Sequence, residues 1–253
     1  MNFLSQPLQS QPEPDWARLQ ALPIADNGEP LVPLGLVPSP LRVYPAYFHL
    51  GVPGALTECY VRRSVLNRLQ QAATLLPAGI ELVVLDGWRP FRVQQYLFEA
   101  LVDALRRRFP DEDDSTLLTR ARRFVAPPST DETAPSPHLT GGAVDVCLCD
   151  GRGQLLNMGT AFDDISPWSY TAAFEAVARP GAEEAEIIEN RRLLHSCMTR
   201  AGFTNLPSEW WHYDYGNQSW AWYSQQPQAL FGVAQQHGLA ERWRAQVTVF
   251  AGA

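Results

Sequence analysis

Residues 143–148 read Ala-Val-Asp-Val-Cys-Leu, an apolar, strand-like run with a carboxylate, Asp145, inside it. A charge in an apolar strand is costly unless it is paired or bound to a metal. The chain must therefore fold so that partners reach Asp145. His138 stands just upstream, after a loop rich in Pro, Ser and Thr, with Gly141-Gly142 between the two. The glycines let the backbone bend, so a loop histidine and a strand aspartate can converge.

A second segment, Glu209-Trp210-Trp211-His212, adds another imidazole and another carboxylate. The chain has five histidines, and two of them fall in these two short segments. Together the segments hold the inventory of a catalytic zinc site, in which three protein ligands leave the fourth position open. A further carboxylate beside that position acts as general base. We assign His138, Asp145 and His212 as ligands of one zinc ion and Glu209 as the base. The spacing is not the His-Glu-x-x-His of a helix, and the competing reading is a surface histidine with a buried, hydrogen-bonded aspartate. On a regular strand Glu209 and His212 would face opposite sides, whereas at a loop-to-strand turn they converge. Trp210 and Trp211 read as wall and core.

The surrounding pattern predicts an α+β chain. Val65, Leu66, Leu69, Ala72, Ala73 and Leu76 recur at helical spacing, and Pro77 and Gly79 end that helix. Ile80–Leu85 reads as a buried strand that delivers Asp86-Gly-Trp-Arg-Pro90 at its end. A second helix carries Val93, Leu97, Leu101 and Leu105, and Ser115 is a candidate cap for a short third one reaching Phe124. Residues 126–137 are loop, and 151–182 form a long connection suited to walling a pocket. Glu183–Ala201 is the clearest helix, with Gly202 at its C-terminal cap, and Trp210–Tyr215 reads as a strand. The last thirty residues, with Trp220, Trp222 and Trp243, are expected to pack over the core. Strands and helices alternate without a regular β-α-β rhythm, which favours α+β.

At 253 residues the chain can bury a large core in one domain, and 45% hydrophobic residues argue against disorder outside loops. A net charge of −7 argues against nucleic acid or an anionic membrane as partner. Met-Asn-Phe-Leu-Ser-Gln-Pro lacks the features of a signal peptide, so a cytoplasmic location is expected. Cys59, Cys147, Cys149 and Cys197 are too scattered for a disulfide framework and read as buried thiols.

Three motifs in order carry a resemblance to a known family. Ser136, His138, Gly141, Ala143 and Asp145 match Ser-x-His-x-x-Gly-x-Ala-x-Asp, and Glu209 and His212 match Glu-x-x-His. Asp86-Gly-Trp-Arg89-Pro90 matches Asp-Gly-(aromatic)-Arg-Pro after a strand. The chain resembles the D-alanyl-D-alanine dipeptidases, zinc enzymes of the vancomycin-resistance type within the DD-peptidase and Hedgehog-like group. The likeness runs over roughly residues 41–215. Residues 1–40, rich in Pro and Gln, read as an irregular N-terminal arm before a domain spanning 41–253, and the resemblance implies that this domain is a compact α+β fold with a small, mostly antiparallel sheet flanked by helices. It implies one Zn2+ per chain, a small free dipeptide as substrate, and Arg89 beside the scissile carbonyl. Ser136 and Asp163 would meet the substrate ammonium, with Asp164 the neighbour to which that role could slip. Tyr44, or else Tyr47, would stand at the pocket mouth. The rivals are a DD- or LD-carboxypeptidase acting on wall peptides and a zinc-bearing binding domain without turnover.

Overall fold

The computed structural model describes residues 6–250. The elements follow in the order α1 (Trp16–Gln20), β1 (Leu31–Pro33), β2 (Leu41–Val43), α2 (Ala46–His49), β3 (Tyr60–Arg62), α3 (Arg63–Thr74), β4 (Ile80–Asp86) and α4 (Phe91–Arg108). Then come α5 (Asp114–Ala121), β5 (Ala143–Asp150), α6 (Ala182–Arg200), β6 (Thr204–Asn205), β7 (His212–Asp214), α7 (Gln218–Tyr223) and α8 (Leu239–Phe250). The main sheet has the order β2-β4-β5-β7-β6, and β1 and β3 form a separate ladder. Only β2 and β4 run parallel in the main sheet; its other ladders are antiparallel. This is the expected α+β class with a small, mostly antiparallel sheet.

The helices form where the apolar spacing predicted them. Val65, Leu69, Ala72 and Ala73 give α3 its buried stripe, and Ile187, Leu194, Cys197 and Met198 give α6 its own. The α3 stripe and, from α6, Leu194, Cys197 and Met198 join the strands in one core. Burying such side chains is the main stabilising term, about 1.5–3 kcal/mol for each large one. Strand β5 is buried along nearly its whole length, and β4 through its middle, Leu82–Leu85. All four cysteines are buried and free. Helices α4 and α5 pack on each other through Phe98, Val102 and Ala121 in a small core of their own.

Four local expectations differ from the structure. The cap of α5 is Asp113, whose side chain accepts from the Thr116 amide, and not Ser115. The strand expected over Trp210–Tyr215 shrinks to His212–Asp214, because Glu209 and His212 close a turn through Glu209 N–H to Leu206 O and His212 N–H to Glu209 O. Within the arm of residues 1–40, α1 is helical and β1 pairs with β3, Leu31 opposite Arg62; residues 1–5 lie outside the described residues. Trp243 is 59% exposed and does not pack over the core, unlike Trp220, whose indole N–H donates to Gly202 O. Among the described residues no helix is long and apolar enough to cross a membrane.

Candidate metal centre

Strand register builds the site. Across β4, β5 and β7, Asp86 lies opposite Asp145, and Asp145 opposite His212. A bulge between Val84 and Asp86 shifts the β4 register just before this row, the kind of irregularity that re-aims a side chain at a strand end. His138 enters from a short 3-10 turn, Pro137–Thr140, that leads into β5. Gly141 ends that turn with φ +72°, a conformation that favours glycine. Gly87 follows β4 so closely against Tyr60 that a Cβ would strike the Tyr60 carbonyl.

The three assigned ligands meet. His138 Nε2 lies 3.2 Å from His212 Nδ1 and 3.5 Å from Asp145 Oδ1, and His212 Nδ1 lies 3.2 Å from Asp145 Oδ1. All three residues are buried. Their tautomers follow from the groups behind them. His138 Nδ1 lies 2.8 Å from the Gly87 carbonyl oxygen, which can only accept, so the ring proton sits there. His212 Nε2 lies 3.1 Å from Asp214 Oδ2 and likewise carries its proton on that side. Both free ring lone pairs and Asp145 Oδ1 thus point at one spot, with no proton between them.

That arrangement fits a cation. Zinc–nitrogen and zinc–oxygen bonds of about 2.0–2.2 Å in a tetrahedral site put ligand atoms roughly 3.3–3.5 Å apart, the spacing seen here. Without a metal, a proton on His212 answers the same demand: burial opposes its charge, but Asp214 and Asp145 outweigh it and raise its pKa well above the ordinary value. Burial would likewise raise the Asp145 carboxyl, yet His138 and His212 hold it far below the usual carboxylate range.

Asp214 was not singled out in the sequence. It is fully buried, and Asn217 Nδ2 donates to its Oδ1 at 2.5 Å. A carboxylate behind a metal-binding histidine fixes the ring and raises its basicity. The signal was present: His212-x-Asp214 on a strand puts both side chains on one face.

Glu209 Oε2 stands 3.8 Å from His212 Nδ1, at the edge of the cluster. Burial pushes its carboxyl up to about 8; His212 and Arg89 oppose this, and Asp145 and Asp163 add to it. Asn205 Nδ2 donates to the carbonyls of Glu209 (3.0 Å) and His212 (2.9 Å), so one side chain clamps the turn that carries both residues.

Arg89 is buried and heavily engaged. Its Nε donates to Asp86 at 2.8 Å, Nη1 to Gln94 at 2.8 Å, and Nη2 to Tyr47 at 3.3 Å and to Asp145 Oδ2 at 3.0 Å. Burial works against its charge, but Tyr47, Asp86 and Asp145 more than compensate and keep it firmly protonated. Arg89 therefore holds the far oxygen of a metal ligand, a contact the sequence did not disclose. One Nη1 hydrogen stays uncommitted.

The expected substrate contacts divide. Asp163 lines the cavity with Tyr47, Arg89 and Glu209. It adopts φ +64°, a conformation that Asp tolerates better than most residues. Burial raises its pKa, while Arg89 and a hydrogen bond with Tyr47 pull the other way. Asp164 is spent on its own turn, accepting from Ser166 N–H at 2.8 Å and from the Ser169 hydroxyl. Arg191, buried in α6, donates to the carbonyls of Met158, Trp168 and Tyr170 and so staples the connection that bears Asp163. Ser136 is buried at the cavity wall, but its Oγ accepts from Ser129 N–H and lies 3.2 Å from Pro127 O, within the 126–136 loop. Tyr44 is 48% exposed, stacks on His49 and does not line the cavity. The pocket tyrosine is Tyr47, because the single turn of α2 carries it inward.

Comparison with known proteins identifies the family. The family model described as D-Ala-D-Ala dipeptidase, within peptidase M15, matches residues 55–234. A D-alanyl-D-alanine dipeptidase of Synechocystis is 35% identical over 80% of this chain and 88% of its own. The Escherichia coli D-alanyl-D-alanine dipeptidase is 29% identical over 62% of this chain and 67% of its own. Among solved structures, VanYB in complex with D-Alanine-D-Alanine aligns over 81% of this chain and 93% of its own, at 16% identity and a TM-score of 0.42. With the family model matching residues 55–234 and the Synechocystis dipeptidase 35% identical over 80% of it, the chain belongs to the D-Ala-D-Ala dipeptidase family of metallopeptidases.

Proposed function

We propose that the chain hydrolyses the free dipeptide D-Ala-D-Ala, with Glu209 as general acid and base and Arg89 as donor to the scissile carbonyl. The observation that carries this reading is the convergence of three lone-pair donors with the Glu209 carboxylate at their edge, 3.8 Å from His212 Nδ1. His138, Asp145 and His212 would hold a zinc ion, which would supply Lewis-acid chemistry to water and the peptide carbonyl. Glu209 takes a proton from the attacking water and returns it to the leaving amine. Arg89 offers its uncommitted Nη1 hydrogen as charge builds on the carbonyl oxygen. It also keeps Asp145 oriented by holding Oδ2.

Selectivity for a free amino end falls to Asp163, backed by Tyr47. A half-buried carboxylate facing the cavity gains from a cation partner, so the pocket favours a substrate that brings an ammonium. Ser136 contributes by fixing the loop wall through Ser129 and Pro127. The test compares D-Ala-D-Ala with N-acetyl-D-Ala-D-Ala on zinc-loaded protein. Acetylation removes the ammonium and should slow cleavage at least about 100-fold, at about 1.4 kcal/mol per tenfold change. Equal rates would sink the dipeptidase reading and favour a carboxypeptidase. Strong discrimination that survives in Asp163→Ala would move the ammonium site elsewhere.

A further inference from the structure

The cavity over the metal centre is larger than two alanines require. Its volume is about 740 Å3, within the roughly 300–1,000 Å3 of sites that enclose drug-sized ligands. Two methyl side chains leave most of that room empty. Part of the surplus is walled by apolar groups: Trp16 and Leu19 from α1, Leu97 from α4, and Phe124 and Val125 after α5. Trp16 is 41% exposed, so an aromatic face is left open there.

The arm that brings Trp16 to the cavity is tied at both ends. On one side, Leu8 N–H donates to Glu175 Oε1 at 3.0 Å, and Arg192 grips that carboxylate through Nε and Nη2. Tyr170 donates its hydroxyl to Glu13 Oε1 at 2.7 Å. On the other side, the buried Gln218 amide donates to Gln20 O, Leu22 O and Thr133 O at 2.7–3.0 Å. Between these points Asp15 caps α1 by accepting from Arg18 N–H. Trp16 and Leu19 are thus held at the wall by contacts that reach the 163–176 segment, the 126–136 loop and α7. The arm lies outside residues 55–234, which the family model matches.

We propose that the N-terminal arm is part of the substrate site, and that Trp16 and Leu19, with Leu97 and Phe124, form an annexe for one bulky apolar side chain. The preferred substrates are then dipeptides carrying one such residue, and D-Ala-D-Ala is a minimal member of that class. This rests on the dipeptidase reading above. Filling the annexe removes apolar surface of both substrate and wall from water, and an aromatic face gives a large contact area.

The test is a kcat/KM series on zinc-loaded protein: D-Ala-D-Ala, D-Ala-D-Leu, D-Ala-D-Phe, D-Leu-D-Ala and D-Phe-D-Ala. The wild type should favour at least one bulky substrate over D-Ala-D-Ala by about 10-fold or more, the scale set by burying one large side chain. Trp16→Ala should cut that ratio to below about 3-fold. Trp16→Phe should keep most of it, and Trp243→Ala, on the exposed face of α8, should leave it unchanged. A wild type that favours D-Ala-D-Ala, or a ratio that survives in Trp16→Ala, overturns the annexe and leaves the dipeptidase reading standing. If no dipeptide is cleaved, the dipeptidase reading fails. The annexe is then judged by calorimetry of D-Ala-D-Leu, D-Ala-D-Phe, D-Leu-D-Ala, D-Phe-D-Ala and D-Ala-D-Ala on zinc-loaded Glu209→Gln protein. Tighter binding of at least one bulky dipeptide, lost when Trp16→Ala is added, upholds it; no such preference overturns it.

Discussion

The metal centre and the arm across its cavity are built on opposite principles. Each ligand of the centre is fixed from behind: Gly87 O on His138 and Arg89 on Asp145 are distant in sequence, and Asp214 holds His212 from two residues along the same strand. Strand register sets Asp86, Asp145 and His212 in a row, so the centre inherits the rigidity of the sheet. Around Trp16 the arm has no such frame. Its helix is five residues long, most of its side chains face water, and it is tied at its ends by Glu13, Leu8 and Gln218. A short helix is marginal without tertiary contacts. The metal ligands thus sit on groups held by the sheet, whereas the proposed outer wall of the substrate site sits on one short helix held by a few hydrogen bonds.

The sharpest way to break that comparison is at the ligands. His138→Ala or His212→Ala removes one of three donors and should strip the zinc, taking turnover to background. Metal analysis after gel filtration checks this; full occupancy in both variants would remove the ligand assignment. Glu209→Gln comes next. The amide keeps the size of the carboxylate but cannot take a proton, so zinc should stay while turnover falls at least about 100-fold. Near-normal turnover in that variant would move the proton transfer to another group.

The part of the site that rests on residue type was legible in the sequence. Asp145 stood out because a charge in an apolar strand needs a partner, and the histidines able to supply one were few. Helices α3 and α6 were legible because their apolar spacing is regular over several turns. What was missed depends on geometry that one-dimensional spacing does not hold. Tyr44 and Tyr47 are three residues apart, and only the turn of α2 decides which of them enters the cavity. Arg89 was visible as a strand-end arginine, but its grip on Asp145 depends on the register of β4 with β5. Ser136 matched its motif, yet its hydroxyl serves the neighbouring loop. Trp210 and Trp211 carry strand propensity, and the Glu209–His212 turn overrides it. The arm gave no periodic signal at all, since five helical residues and three strand residues are too few to show one.

A smaller effect tests the support behind a ligand. Asp214→Asn keeps the shape and an oxygen for the His212 Nε2 proton but removes the negative charge. Zinc affinity should fall about 10- to 100-fold, the usual cost of losing such a group. Competition against a chelator of known affinity measures it. An unchanged affinity would mean that the sheet alone positions His212.

The smallest expected effect lies in the arm. Gln218→Ala removes the amide that joins Gln20 O and Leu22 O to Thr133 O. Each net hydrogen bond contributes about 0.5–1.5 kcal/mol, and the freed carbonyls lie at a cavity edge that water can reach, which limits the loss. For a chain of this size about 1 kcal/mol lowers Tm by roughly 2–4 °C. The more telling readout is local. Leu19 N–H bonds to Asp15 O inside α1, and its hydrogen exchange should quicken as the arm lifts, because exchange reports local opening. Zinc affinity should hold, since no bond of Gln218 reaches the ligands. If it fell as far as in Asp214→Asn, the centre and the arm would be one cooperative unit and the contrast between them would be wrong. If Leu19 exchange stayed slow, Glu13 and Leu8 would suffice to hold the arm, and Glu13→Gln would be the variant that loosens it.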